Sequence, residues 1–259
     1  MQPHERQISP VELSAYKNEG FVVLPALFAA AEIAAVADEV SSVFQRADVV
    51  RTDNLRCRFQ RHFATGERLL EAVDPIVDLL PGIAELAAAP RILCLLEQLL
   101  GGPARLFKDK LVLKPPGSRG YGLHQDFIAW PGFPRSFTTI TVAIDRATVD
   151  NGCIELFRGC HGAGPLAPSD GEYHDLAEAS FDPSRRVKLE LAPGDAVAFG
   201  CFVPHGSAPN RSEQPRRHLL LSYNRADDGG DLRAGHYRDF HRWLRRKYAE
   251  HGVTDLMFR

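Results

Sequence analysis

The chain has 259 residues, 44% of them hydrophobic and 25% charged, with a formal net charge of −2 at pH 7. That length can bury a sizeable core, and the charge balance gives no electrostatic case for nucleic acid or an anionic membrane surface as partner. The five cysteines, Cys57, Cys94, Cys153, Cys160 and Cys201, form no CxxC pair, which argues against a disulfide framework or a thiolate zinc site and for a reducing compartment.

The opening Met1-Gln2-Pro3-His4-Glu5-Arg6 is polar and lacks an apolar signal core. No uninterrupted apolar run is long enough to span a bilayer, so a cytoplasmic protein is expected. Ser9-Pro10-Val11-Glu12 reads as a capping box with proline at the first helical position, predicting a helix to about Asn18 stopped by Gly20. Phe21 to Pro25 reads as a buried strand. Ile33, Val36, Ala37, Val40 and Phe44 recur at helical spacing and predict an amphipathic helix. The basic stretch Arg51 to Arg68 is weakly patterned and reads as a strand followed by a loop. Pro90 to Leu100 is a second helical segment capped by Gly101-Gly102.

From Leu106 the texture changes. Segments 106–114, 136–144, 153–157, 187–191, 196–199 and 217–223 are β-branched, apolar or alternating. Many short strands between Gly/Pro turns suggest a sandwich or jelly roll. Tyr237, Phe240, Leu244 and Tyr248 mark an amphipathic C-terminal helix packed on the barrel's outside. No repeat, low-complexity tract or linker divides the chain. One domain over 1–259 is expected, with a helical part over 1–105, a jelly-roll core over 106–226 and a terminal helix over 232–251.

Chemistry concentrates in Gly122-Leu123-His124-Gln125-Asp126. Residues two apart on a strand point to one face, so His124 and Asp126 can reach one metal ion. An HxD pair alone is a weak signal. His205 adds to it, because a Gly194-Asp195 turn and an apolar strand precede it, which places a ligand at a barrel mouth. Two histidines and a carboxylate make the facial triad of non-haem Fe(II) oxygenases, with open positions for substrate and O2. Arg216 opens the next strand, and a hairpin can return it beside the metal. The natural partner of a buried guanidinium there is a bidentate carboxylate.

With these residues in view, the chain resembles the phytanoyl-CoA dioxygenase family of Fe(II)/2-oxoglutarate oxygenases over nearly its whole length. Gly20 to Pro25 before a helix is similar to the family's start, and Gly122 to Asp126 to its HxD. Asp150-Asn151-Gly152-Cys153 through Gly159-Cys160-His161 resembles its NGC…PGSH segment, although Arg158 and Cys160 stand where the family usually has Pro and Ser. Gly194-Asp195 through His205-Gly206-Ser207 to Arg216 is similar to its distal histidine and 2-oxoglutarate arginine.

The resemblance implies a mainly β fold with flanking helices, a double-stranded β-helix or cupin-like jelly roll. It implies Fe(II) on the catalytic residues His124, Asp126 and His205, with O2 and 2-oxoglutarate as co-substrates. Arg216 would grip 2-oxoglutarate, with Ser207 and one of Lys110 and Lys114 as further contacts. His161 would be structural, and Cys160 a small buried residue. Related halogenases carry a small residue at the carboxylate position, so Asp126 implies hydroxylation or another oxidation instead.

Substrate signals are thinner. Phe127, Trp130, Phe133 and Phe137 follow the HxD as either a core loop or an aromatic lid, with Phe127, Trp130 and Phe137 as candidate contacts. With His174, Asp175, His218 and Tyr223 they suit a compact polar metabolite, and no basic cluster awaits CoA phosphates. The resemblance to enzymes that tailor bacterial secondary metabolites points to a small-molecule substrate such as a sugar-containing antibiotic precursor. Two alternatives stay open. A Zn hydrolase would want a third N or S ligand and a general base, and a jelly-roll binding module would have lost its metal. Oligomeric state is not legible.

Overall fold

A computed structural model describes residues 6–51 and 54–252. Helix α1 spans Pro10–Glu19. Ser9 Oγ accepts from the Glu12 amide at 3.2 Å, and the Glu12 carboxylate accepts from the Ser9 amide at 2.8 Å. Gly20 stops the helix at φ +91°, and a Cβ there would sit 2.6 Å from His161 Nδ1, so both conformation and space demand glycine. Strand β1 is Phe21–Leu24, and helix α2 is Ala30–Val43. Ile33, Val36, Val40 and Val43 are the buried stripe of α2. Phe44, expected on that stripe, is the C-cap residue and 41% exposed, because Val43 already completes the stripe one turn after Val40.

The basic stretch departs from expectation. Strand β2, Cys57–Arg61, turns at residues 62–67 into a second strand, β3, Arg68–Val73, where a loop was expected. The His62–Glu67 amide-to-carbonyl bond of 2.7 Å closes the hairpin. Helices α3, Pro81–Ala87, and α4, Pro90–Leu100, follow. Then come β4, Ala104–Lys114, β5, Tyr121–His124, β6, Thr138–Ala143, β7, Ile154–Phe157, and β8, Arg186–Leu189. Strands β9, Ala196–Gly200, β10, His205–Ser207, and β11, Arg216–Arg225, lead to helix α5, Arg233–His251.

The strands form two antiparallel sheets, β1-β9-β6-β11-β4-β3-β2 and β5-β10-β7-β8, the jelly roll expected. The largely helical stretch before residue 106 supplies β1 and β2, where strands were expected, and also β3 to the larger sheet. One face of that sheet is apolar. Leu111, Leu113, Ile140, Val142, Leu219 and Leu221 pack there with Ile33, Ile83, Ile92 and Leu95 from the helices. Each such side chain contributes about 1.5–3 kcal/mol by leaving water. The other face looks into the space between the sheets. Val197, Phe199, Ile154 and Leu156 fill one part of it, and buried polar residues from β4, β6 and β11 fill the rest.

Helix α5 lies against β4. The Asp109 amide donates to Tyr237 Oη at 2.9 Å, and Arg233 ion-pairs with the Asp109 carboxylate. His236, Phe240, Trp243 and Leu244 are its buried residues, while Tyr237 and Tyr248, expected on the stripe, are half-buried. Among the described residues no helix is long and apolar enough to cross a membrane.

Candidate metal and co-substrate site

Strand β5 ends on His124 and β10 begins on His205, and the antiparallel register sets the two directly opposite. Their ring centroids are 4.3 Å apart. Asp126 reaches the same point by another route than the one expected. It lies two residues past the end of β5, so the bend after the strand, and not strand alternation, delivers its carboxylate. One candidate ligand atom from each of the three buried residues lies within 4.8 Å of the others.

Each imidazole is oriented by a backbone carbonyl two residues before it. His124 Nδ1 donates to Gly122 O at 2.8 Å, and His205 Nδ1 to Val203 O at 3.0 Å. That puts the proton on Nδ1 and the lone pair on Nε2, the tautomer a metal requires. Burial, and then the neighbouring His205, push the pKa of His124 down to about 3. Burial lowers His205 as well. Both rings are therefore neutral, as a candidate metal ligand has to be.

Burial alone would raise the Asp126 carboxyl, but Lys108, His205 and Lys110 outweigh it and hold it well below the usual carboxylate range. Lys108 Nζ sits 3.5 Å from Oδ1. Thr139 Oγ1 donates to Oδ2 at 2.9 Å and contacts Ser222 Oγ at the same distance. The result is two neutral nitrogens and one anionic oxygen with open positions, a donor set suited to Fe(II).

The triad histidines share a pocket of about 460 Å³, counted to its open mouth, with Arg216, His218, Ser207, Lys110 and Thr141. Arg216 is 3% exposed. One terminal nitrogen lies 2.6 Å from His218 Nδ1, its Nε has no hydrogen-bond partner, and among the described residues no carboxylate pairs with it. Burial brings its pKa down to about 10, so it stays charged at neutral pH. His218 is pushed well below its ordinary value by burial and by Arg216, and stays neutral. A buried cation without an anion is costly unless a ligand supplies one. A dicarboxylate anchored at the metal would do so.

The two candidate lysines separate. Lys114 is fully buried and committed: its Nζ donates to Ser207 Oγ at 2.7 Å, to Gly152 O at 3.4 Å and to Ala208 O. It therefore orients Ser207 toward the pocket. Gly152 has to be glycine, since at φ +74° a Cβ would meet Ala208 O at 2.3 Å and Lys114 Nζ at 2.8 Å. Lys110 lines the pocket half-buried and has no ion pair among the described residues. Burial and the charge of Lys108 bring its pKa down to about 8.

The aromatic candidates lie elsewhere. Phe137 is 1% exposed in a cluster with Phe107 and Cys201. Phe127 stands 5.2 Å from Phe202. Trp130 Nε1 donates to Gly171 O at 2.7 Å, and its ring lies 6.1 Å from His236. None of the three lines the metal pocket. Tyr223 faces the helices, donating to Ala87 O at 2.7 Å, and His174 pairs at the surface with Asp170. His161 is held by the Lys17 carbonyl at 3.2 Å, and Cys160 is only half-buried where full burial was expected.

Sequence reasoning missed Lys108, Thr139 and the Arg58–Asp74 ion pair of 2.9 Å. One signal was available. Lys108, Lys110 and Lys114 stand at even steps on β4, so the strand that buries Leu111 and Leu113 outward must turn all three lysines inward.

Similarity to known proteins agrees with this geometry. The chain is 37% identical over 178 residues to a methylphosphonate hydroxylase of Gimesia maris, covering 67% of this chain and 64%, just under two thirds, of that protein. It is 33% identical over 183 residues to a 2-aminoethylphosphonate dioxygenase of an uncultured bacterium, covering 70% and 68%. The epimerase SnoN, solved with Fe3+, alpha ketoglutarate and nogalamycin RO, shares the fold at a TM-score of 0.69 and 24% identity over 83% of each chain. The profile of the family "Phytanoyl-CoA dioxygenase (PhyH)" matches residues 16–218. That stretch starts in α1, takes in all three triad residues and ends two residues past Arg216, and so the chain belongs to the phytanoyl-CoA dioxygenase family.

Proposed function

We propose that this chain, an Fe(II)- and 2-oxoglutarate-dependent dioxygenase by family, hydroxylates or oxidatively cyclises a compact polar metabolite. The observation that carries the reading is Arg216, a buried guanidinium without a carboxylate in the same pocket as a three-ligand cluster. His124, Asp126 and His205 hold the metal. Arg216 takes the far carboxylate of 2-oxoglutarate, with Ser207, oriented by Lys114, beside it. Lys110, which lines the same pocket, would be a further contact of the co-substrate.

Bound there, iron with O2 and 2-oxoglutarate supplies the oxidising chemistry, and the co-substrate leaves as succinate and CO2. The chain's own work is to keep both imidazoles neutral and Asp126 ionised, and to hold the co-substrate in a pocket largely shielded from water. A zinc hydrolase would leave Arg216 without a role, and among the described residues no fourth ligand joins the triad.

For the substrate, the two phosphonate-oxidising relatives favour a small polar molecule. A sugar-containing antibiotic precursor is the second reading, favoured by the likeness to SnoN. The test is succinate formation under air with Fe(II) and 2-oxoglutarate, with methylphosphonate, 2-aminoethylphosphonate and a panel of sugars as substrates. Stimulated succinate release, with O2 uptake in step, is expected from one of the small acids. If no compound stimulates release, and no visible metal-to-ligand charge-transfer band forms with Fe(II) and 2-oxoglutarate in the absence of air, the oxygenase reading is wrong.

A further inference from the structure

The inner face of the large sheet carries a second cluster of buried polar residues, at the other end of β4 from Arg216. Arg216 pairs in register with Lys114. Lys108 lies six residues away, about 20 Å along the strand. The pairings of Arg58 with Ala72 and of Ala72 with Val112 put Arg58 on the same inner face, and Asp74 continues that parity just past β3. Helix α5 closes over them. The Arg58 guanidinium lies 5.5 Å above the Phe240 ring, and His236 stacks on Phe240 at 5.9 Å and meets Phe107 at 5.5 Å. Trp130, 6.1 Å from His236, and Tyr173, 6.3 Å from Trp130, complete the wall.

Two features mark this cluster as suited to a ligand. First, Arg58 Nε, Asp74 Oδ1, Glu71 Oε2 and His236 Nδ1 are all buried and lack a hydrogen-bond partner. Folded proteins leave few such atoms, and with Arg58 and His236 both close enough to Asp74 to act on its charge, the open valences around Asp74 call for a guest. Second, the charges do not balance. Arg58, Lys108 and Lys110 face Asp74 alone once Asp126 is committed to a metal, and burial pushes the Glu71 carboxyl up, toward its neutral form. Positive charge is left over even with Glu71 ionised and with Fe(II), a 2-oxoglutarate dianion and Arg216 included. Uncompensated buried charge is costly, so the missing partner is an anion.

We propose that this cluster seats the substrate's headgroup and that the headgroup is a compact oxyanion, held by Lys108 and Arg58 between α5 and the metal site. Phosphonates and carboxylates share this chemistry. The inference rests on the oxygenase reading above and assigns the substrate side of the same centre. Trp130 then walls the substrate, whereas Phe137 supports that wall from beneath.

The test uses the full chain loaded with Fe(II) and 2-oxoglutarate without air, and reads the charge-transfer band as each probe is added. The probes are methylphosphonate, acetate and the neutral dimethyl sulfone. At least one anion should bind and shift the band at concentrations about tenfold or more below those needed for the sulfone, and the preference between the two anions tells a tetrahedral from a planar headgroup. Lys108→Met should weaken anion binding about 30-fold or more, read at Fe(II) and 2-oxoglutarate concentrations that saturate the variant's own band, and Lys108→Arg should restore most of it. Arg58→Lys, which keeps the charge and loses the fork, should weaken it less. If the band forms but neither anion is preferred over the sulfone, or if Lys108→Met binds the anion as well as the parent, the headgroup site is wrong and the oxygenase reading stands. If no band forms in the parent chain, the oxygenase reading fails and takes this inference with it.

Discussion

The two faces of the seven-stranded sheet are made from the same strands and do opposite things. On β4 and β11 the odd positions, Leu111, Leu113, Leu219 and Leu221, pack into the helical layer. The even positions, Lys108, Lys110, Lys114, Arg216 and His218, carry buried charge and imidazole into the space between the sheets. The first face stabilises the fold without taking part in chemistry. The second destabilises it until ligands arrive, because buried cations without anions cost free energy. Stability and function here alternate residue by residue along one strand.

The sharpest way to break that division is to cut once on each face. Asp126→Ala on the inner side should abolish Fe(II) binding and turnover, and because it strips the buried Lys108 ammonium of the carboxylate 3.5 Å away it should also lower the unfolding midpoint of the metal-free chain, a loss that adding Lys108→Met should relieve. Leu219→Ala on the outer side should cost about 2–5 kcal/mol in denaturant unfolding while the surviving folded fraction still binds Fe(II). Full turnover in Asp126→Ala would refute the metal assignment. Loss of metal binding in folded Leu219→Ala would refute the separation of faces.

Arg216→Met comes next in size. The apparent KM for 2-oxoglutarate should rise at least about 30-fold, the consequence of leaving a carboxylate unpaired in a buried site. The metal-free variant should be no less stable than the parent, since a buried charge is replaced by an apolar side chain. Thermal unfolding with and without 2-oxoglutarate, Fe(II) present, checks both parts. The co-substrate should raise the midpoint of the parent and not of the variant. A variant that unfolds well below the parent would mean that Arg216 is structural.

Thr139→Val tests the support behind the triad. It removes the donor 2.9 Å from Asp126 Oδ2 and keeps the shape. Fe(II) affinity should fall about 10- to 100-fold, with the KM for 2-oxoglutarate measured at saturating iron little changed. Equal loss of both would mean that Thr139 shapes the pocket as a whole.

Much of this was legible beforehand where the signal is local. The Ser9 capping box, the Gly101 helix stop and the order of the triad residues depend on short stretches of chain, and short stretches can be read. What escaped depends on pairing across the sheet. Nothing within residues 51–68 shows that Arg68 begins a strand, because β3 earns its place by bonding to β2 and β4. Lys108 looked like any strand lysine until β11 on one side and α5 on the other buried it. Asp126 comes beside the two histidines by the bend after β5 and not by strand alternation, since an HxD motif does not reveal where its strand ends.

A last test reads the inner face through pH. Burial pushes both His124 and His236 down to about 3 in the folded chain, while an unfolded histidine titrates near 6.5. Below about pH 6.5 the unfolded chain therefore binds protons that the folded chain refuses. Stability contributed by the neutral rings is complete above that value and drains away as pH falls toward 3. At pH 5 the two rings have each lost about 2 kcal/mol, and the metal-free chain should unfold at visibly lower denaturant than at pH 7.5. Replacing His236 by Phe, which keeps the stacking on Phe240 and removes the titrating group, should flatten that ring's own share of the slope and leave the share of His124, His205 and His218. Loading Fe(II) should steepen what remains, because a metal on His124 competes with the proton for the same nitrogen. A metal-free parent chain as stable at pH 5 as at pH 7.5 would mean that these rings take up protons freely in the folded state, and that the inner face is far wetter than the packing around His236 implies.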